Sequence, residues 1–288
     1  MAANTLRAVQ RPFAQVDVFT TEPYRGNPVA VVLDGSSLSD EEMQRIAHWT
    51  NLSETTFVLA PTEAEADYRV RIFTPSAEFP FAGHPTLGTC HAWLASGGRP
   101  RGGGDSVVQE CGAGLVRIRR SDGQLAFAAP PLIRGGDVDE ADVERIARLL
   151  GIERSDIIGS QWADNGPGWV AVMLHDAEEV LALRPGDIED LEIGVVGRHP
   201  DGGEAQWELR AFMNANGMAV EDPVTGSLHA SVAQWLLGTG QATAPYIAAQ
   251  GTVLGRRGRA HISQDEDGTI WVGGGTVTCV SGQVELPG

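Results

Sequence analysis

The chain has 288 residues, with 21 basic and 38 acidic side chains, a net charge of −17 and 42% apolar content. Every basic residue is arginine, so no lysine is available for a Schiff base or for a Walker-type phosphate contact. The acidity argues against nucleic acid or an anionic membrane surface as partner, and no apolar run approaches the roughly 18 residues of a membrane span.

The leader Met1–Arg11 is polar and lacks an apolar h-region, which predicts a cytoplasmic protein with no signal peptide. Alternation over Phe13–Phe19 and the apolar run Val29–Leu33 predict strands. Ser39 before Asp40, Glu41 and Glu42 has the pattern of an N-cap with an acidic first turn. With Met43, Ile46 and Ala47 it predicts a helix over Ser39–Trp49. Thr55–Leu59 and Tyr68–Phe73 read as strands, and His84–Ala95 as a helix stopped at Gly97-Gly98. Val107–Arg119 and Leu125–Ala129 read as strands around an Asp122-Gly123 hairpin turn. Pro130-Pro131 and Gly135-Gly136 mark a boundary. It gives domains over 12–129 and 130–288, with the C-terminal strands free to return to the first. Beyond it come a helix over Asp139–Leu150 closed by Gly151, a strand over Trp169–Leu174 and a short helix over Pro185–Leu191. A strand over Glu208–Phe212, a helix over Gly226–Leu237 and several short strands complete the chain. Short strands with a few helices and no strict βαβ alternation predict an α+β fold.

Pro80-Phe81-Ala82-Gly83-His84 resembles Pro223-Val224-Thr225-Gly226-Ser227. Each opens an apolar helix, and those helices end at Gly97 and Gly240. Both glycine pairs are 143 residues apart, and Arg71-Ile72-Phe73 corresponds to Arg210-Ala211-Phe212 upstream. An offset of half the chain predicts two similar domains with a cleft between them.

Each loop places a glycine at a helix start, where backbone N–H groups lack intrahelical partners and the helix dipole favours an anion. Two such termini suit a small carboxylate. Glu54 enters a strand, and His84 and Asp222 flank the two helix starts, where they can steer protons. Ser53 and Ser227 are candidate hydrogen-bond donors or simple caps.

Asn51–Phe57 (NLSETTF), Arg71–Pro85 (RIFTPSAEFPFAGHP) and Val220–Ser227 (VEDPVTGS) resemble the signature stretches of the phenazine-biosynthesis PhzF-like family. So do Asp17-Val18-Phe19, the run Gly26-Asn27-Pro28-Val29-Ala30-Val31 and Asn165-Gly166-Pro167, and the resemblance runs from about Phe13 to the end of the chain. It implies a diaminopimelate-epimerase-like fold. In that fold two pseudo-symmetric domains, each a β-barrel-like sheet around a central helix, enclose a site in the cleft. It also implies a cofactor-independent isomerase, commonly a homodimer, with Glu54 moving a proton and His84 and Asp222 supporting it. Ser53, Gly83, Gly226 and Ser227 would contact a small carboxylate-bearing substrate. Such a reaction needs no metal, nicotinamide, flavin or pyridoxal.

Two other readings remain open. Epimerases that resemble this fold use two thiols, one at each repeated loop, but the corresponding positions here are Ala82 and Thr225. Glu110-Cys111-Gly112-Ala113-Gly114 imitates an epimerase motif yet lies past the first helix, where a strand and turn are expected. Cys90 and Cys279 read as small core residues. The second reading is a binding protein that keeps the fold, against which stands the retained set Glu54, His84 and Asp222. Neither HExxH nor paired CxxC occurs, which speaks against a metal site. His229 departs from the small residues that follow this serine in the family's namesake and would narrow or polarise a pocket it faced. Trp169 reads as core.

Overall fold

A computed structural model describes residues 8–121, 123–215 and 218–287. Met1–Arg7 of the polar leader and Asp122 of the expected hairpin turn lie outside the described residues. The chain divides into two compact units. One comprises the residues up to Tyr24, Pro28–Phe127 and those from Gly275; the other comprises Arg25–Asn27 and Ala128–Gly274.

The first unit begins with β1 (Ala8–Val18) and β2 (Asn27–Val32), which pair with each other. Helix α1 (Asp40–Thr50) follows, with Ser39 in a capping box with Glu42. Its end is set by Asn51, which adopts the left-handed conformation at φ 54° and turns the chain into β3 (Glu54–Leu59). Next come β4 (Tyr68–Phe73), the short β5 (Glu78–Phe79), α2 (Gly83–Ala95), β6 (Ser106–Cys111), β7 (Gly114–Ser121) and β8 (Gln124–Ala128). The expected single strand Val107–Arg119 is therefore two strands. Cys111 pairs with Gly114 across a tight turn at Gly112-Ala113, and Gly114 has a φ of +99°, which glycine alone adopts readily.

The second unit holds α3 (Glu140–Leu150), β9 (Gly159–Trp162), β10 (Trp169–Met173), α4 (Ala177–Ala182), β11 (Glu192–Arg198) and β12 (Trp207–Ala215). It continues with β13 (Met218–Asp222), α5 (Gly226–Gly238), β14 (Tyr246–Gln250), β15 (Gly258–Gln264) and β16 (Ile270–Gly274). The expected helix at Pro185–Leu191 is an irregular segment, and the helix lies earlier, at α4. Asp176 caps α4 by accepting from the Glu179 N–H at 2.9 Å. Glu189 sits at φ 54°, and the Asp187 carboxylate takes its N–H at 2.9 Å, a local turn that competes with a helix.

The two units share one topology. In the first, β2 and β3 are parallel, β3–β4 and β4–β5 antiparallel, then α2, then β6 parallel to β4, with β7 and β8 antiparallel beyond. In the second, β10 and β11 are parallel, β11–β12 and β12–β13 antiparallel, then α5, then β14 parallel to β12, with β15 and β16 antiparallel beyond. The last strand, β17 (Thr276–Pro287), runs antiparallel along the whole of β1.

Both α2 and α5 are 13 residues long and buried around most of their circumference, as expected of a helix enclosed by sheet. Such enclosure demands close approach. A Cβ on Gly88 of α2 would lie 2.3 Å from Val29 Cγ1, and one on Gly194 of β11 would lie 2.4 Å from Leu228 Cδ1 of α5. The other face of each sheet carries the peripheral helices. Val32, Met43, Ala47, Phe57 and Phe73 form a cluster under α1, and Ile146, Leu150, Val172, Val180, Ile193 and Phe212 form one under α3 and α4. Among the described residues no helix is long and apolar enough to cross a membrane.

Candidate functional site

Asn51 ends α1 so that Glu54 becomes the first residue of β3, opposite Val29 of β2. Side chains alternate along a strand, so Glu54 and Thr56 share a face. That face looks at α2, because Thr89 of α2 donates to Thr56 Oγ1 at 2.8 Å. At the start of α2, His84 Nε2 lies 3.3 Å from Glu54 Oε2, and the two side chains are only 5% and 12% exposed. Burial pushes the His84 imidazole down to about 3, opposed by a hydrogen bond with the Pro28 backbone. Proline has no N–H, so its carbonyl accepts from the ring. The imidazole is thus neutral at neutral pH and keeps one N–H. The first unit therefore joins Glu54, His84 and Gly83. Ser53, beside Glu54 in the chain, is exposed. Ala82 caps α2 without a side-chain acceptor.

In the second unit Asp222 is the last residue of β13, just before the Pro223–Thr225 loop and α5. Thr225 occupies the cap position of α5, yet its side chain does not cap the helix. Instead Thr225 Oγ1 donates to Asp222 Oδ2 at 2.6 Å, and Asn27 Nδ2 donates to Asp222 Oδ1 at 3.0 Å. Burial pushes the Asp222 carboxyl above its ordinary value, while Thr225 and Asn27 pull it down. Ser227 Oγ accepts from the indole N–H of Trp169 at 3.0 Å, and the Ser227 carbonyl accepts from Asn165 Nδ2 at 2.8 Å. Trp169 is thus a core residue that also fixes the Ser227 hydroxyl. His229 is 1% exposed and bonded to Gln250, and burial pushes its imidazole down to about 4.

Neither helix-start position carries a thiol. Cys90 lies buried within α2, Cys279 lies in β17, and Cys111 donates to the Gly114 carbonyl in the β6–β7 hairpin. Glu110 of the same hairpin accepts from the Thr62 and Glu63 N–H groups at 2.7 and 3.1 Å, a structural role. Among the described residues, no group of three or more His, Cys, Asp and Glu side chains is placed to hold a metal ion.

Asn27, Thr225, Gln250, Trp169 and Asn165 join these hydrogen bonds with no sequence pattern that assigns them there. Asn27 and Asn165 stand in the motif stretches at the start of β2 and just before β10, and neither stretch reveals the partner of the side chain.

Residues 16–282 match the model of the family described as phenazine biosynthesis-like protein, PhzC-PhzF. A Pseudomonas chlororaphis protein named trans-2,3-dihydro-3-hydroxyanthranilate isomerase is 34% identical, over 94% of this chain and 98% of that one. The "Antisense-enhancing sequence 1" protein of Schizosaccharomyces pombe is 37% identical, over 95% and 98%. Among solved structures, the Bacillus anthracis phenazine biosynthesis protein of the PhzF family superposes with a TM-score of 0.80 at 25% identity, over 96% of this chain and 99% of that one. Fold and relatives together define an isomerase with the α+β architecture shared by PhzF proteins and the hydroxyproline-epimerase type. The chain belongs to the PhzC-PhzF phenazine biosynthesis-like family.

Proposed function

We propose that the protein shifts a proton, and with it a double bond, within a small carboxylate-bearing cyclic or amino-acid-like metabolite. Glu54 acts as the general acid/base. The observation that carries this reading is the buried Glu54–His84 pair, 3.3 Å apart, at the start of the central helix α2. Isomerisation of this kind removes a proton next to an activating group and returns it elsewhere on the same molecule. A single carboxylate can do both if water is kept away. Glu54 is nearly buried, and its neighbour His84 is a neutral imidazole. With its one N–H given to the Pro28 carbonyl, the neutral ring turns an acceptor nitrogen toward Glu54, which can take a hydrogen bond from the protonated carboxyl and does not lock it as a permanent anion. Glu54 can then hold the proton between removal and return.

The rest of the reading follows the chemistry of the loops. The helix-start N–H groups at Gly83 and at Gly226-Ser227 are donors suited to a substrate carboxylate, and the hydroxyls of Ser53 and Ser227 are further polar contacts for a substrate. Asp222 takes a hydrogen bond from a polar group of a substrate. No cofactor takes part in the reaction, and under this reading the protein is a cytoplasmic homodimer. The name of the Pseudomonas relatives makes trans-2,3-dihydro-3-hydroxyanthranilate the first compound to try. Glu54→Gln should still bind that compound by calorimetry while turnover falls by about 10²–10⁴-fold. Undiminished turnover in this variant would overturn the assignment.

A further inference from the structure

Asp222 stands at the end of a hydrogen-bond chain whose origin is Gln250, the fully buried last residue of β14. The orientation of the Gln250 amide is fixed twice by chemistry. The backbone N–H of Thr225 can only donate, so the amide atom 2.9 Å from it is Oε1. The Asp222 carbonyl can only accept, so the amide atom 2.9 Å from it is Nε2. Nε2 also donates to Thr225 Oγ1 at 2.9 Å. That hydroxyl therefore directs its own proton elsewhere, and Asp222 Oδ2 is 2.6 Å away. Asn27 supplies a donor to the other carboxylate oxygen. The Thr225 hydroxyl proton and one Asn27 amide proton therefore both point at the Asp222 carboxylate. A proton added to Asp222 Oδ2 on the side that faces Thr225 would displace the one the hydroxyl now presents.

We infer that Gln250 is a positioning residue which, through the Thr225 hydroxyl, holds Asp222 as an acceptor-only carboxylate. The seating of Gln250 depends on the next residue. Gly251 has φ +89°, and a Cβ there would lie 2.6 Å from the Pro223 carbonyl, inside the loop that carries Asp222 to Thr225. Glu221 raises the Asp222 carboxyl but is itself held by Arg210 at 2.7 Å. His229, on α5, reaches the chain through Gln250 and is neutral, because burial drives it down to about 4. Burial works to protonate Asp222, and the donors that Gln250 organises work against it.

The hydrogen-bond claim stands apart from the proposed reaction, and only its effect on turnover rests on that reading. The test is a carbon-13 carboxyl NMR titration of Asp222 in the substrate-free protein. In Gln250→Met and in Thr225→Val the midpoint should rise by about one pH unit or more, and in Thr225→Ser it should stay within a few tenths of wild type. The Gln250→Met/Thr225→Val double variant should move no further than Thr225→Val alone, because the effect passes through the hydroxyl. A Gln250→Met midpoint equal to wild type would overturn the inference, as would full additivity in the double variant. If Gln250→Met does not fold, the Thr225 pair decides: equal midpoints for serine and valine overturn it. In turnover of trans-2,3-dihydro-3-hydroxyanthranilate, the acid limb of the kcat/KM profile should shift upward with the same variants. Absence of turnover in wild type would count against the substrate and leave the titration result standing.

Discussion

Glu54 and Glu192 occupy the same place in the two repeats, and their surroundings differ. Glu54 opposes the β2 residue Val29, and its neighbour Thr55 opposes Phe73; Glu192 opposes Trp169, and its neighbour Ile193 opposes Phe212. The repeat extends to ion pairs. Arg71 on β4 binds Glu78 on β5 and lies over Phe73, as Arg210 on β12 binds Glu221 on β13 and lies over Phe212. At the helix starts the likeness ends. His84 stands beside Glu54, whereas the corresponding residue of α5 is Ser227, tied down by Trp169 and Asn165. Glu192 accepts instead from the Asn214 backbone, and burial pushes it up to about 7. One scaffold thus carries two carboxylates, and only the first has an imidazole at hand to share a proton. In the second repeat the acid at the loop is Asp222, and its donors make it an acceptor.

The largest expected effect separates the two glutamates. Glu54→Gln should lower turnover by about 10²–10⁴-fold, while Glu192→Gln should lower it by less than about tenfold. Steady-state kinetics on both variants would show it, and comparable losses would erase the distinction drawn between the repeats.

Packing offers a second contrast. In Gly88→Ala the new methyl group meets a β-branched valine from a neighbouring strand, and in Gly194→Ala it meets the end of a leucine. Gly88→Ala should cost about 1–3 kcal/mol by denaturant unfolding, and Gly194→Ala less, because Leu228 can change rotamer.

Two buried imidazoles set an acid limb, one in each repeat. His84 at about 3 and His229 at about 4 both lie below the value near 6.5 of the unfolded chain. Between those values the unfolded state binds more protons, so stability is fully present above pH 6.5 and falls as the pH drops. Each imidazole contributes a slope of up to about 1.4 kcal/mol per pH unit. His229→Asn should flatten this limb in urea unfolding curves between pH 6.5 and 4. An unchanged slope would show that His229 is not buried as a neutral ring.

Glu192 gives the smallest effect, with the opposite sign. Its folded value is raised, so the folded state holds the extra proton between about 4.5 and 7, and stability is lost as the pH rises through that window. Glu192→Gln should therefore stabilise the protein at pH 8, by about 1 kcal/mol once solvent screening of a partly exposed group is discounted, and should do nothing at pH 4.

Much of this was legible in the residues. Gly83 and Gly226 each precede an apolar run, a repeated pattern that predicts the start of a buried helix, and both helices begin at those glycines. Ser39 with Glu42 announced its capping box. Glu54, His84 and Asp222, the residues of the proposed reaction, stand in motifs that the sequence displays. Gln250 left no signal, because it is 28 residues beyond Asp222 in a strand whose pattern is ordinary; only the parallel pairing of β14 with β12 brings it under the loop. Trp169 reads as core from its neighbours, and the direction of its indole N–H is a property of tertiary packing. The irregular Pro185–Leu191 segment was missed because a proline followed by acidic residues imitates a helix start, and the left-handed Glu189 is invisible to periodicity.

The central claim is that the proton travels on Glu54. Its most direct test is deuterium incorporation from D2O into trans-2,3-dihydro-3-hydroxyanthranilate, followed by proton NMR with wild type, Glu54→Gln and Glu192→Gln side by side. Wild type and Glu192→Gln should exchange solvent deuterium into the isomerised position, and Glu54→Gln should not. Exchange that persists in Glu54→Gln and vanishes in Glu192→Gln would contradict the account and move the chemistry to the second repeat.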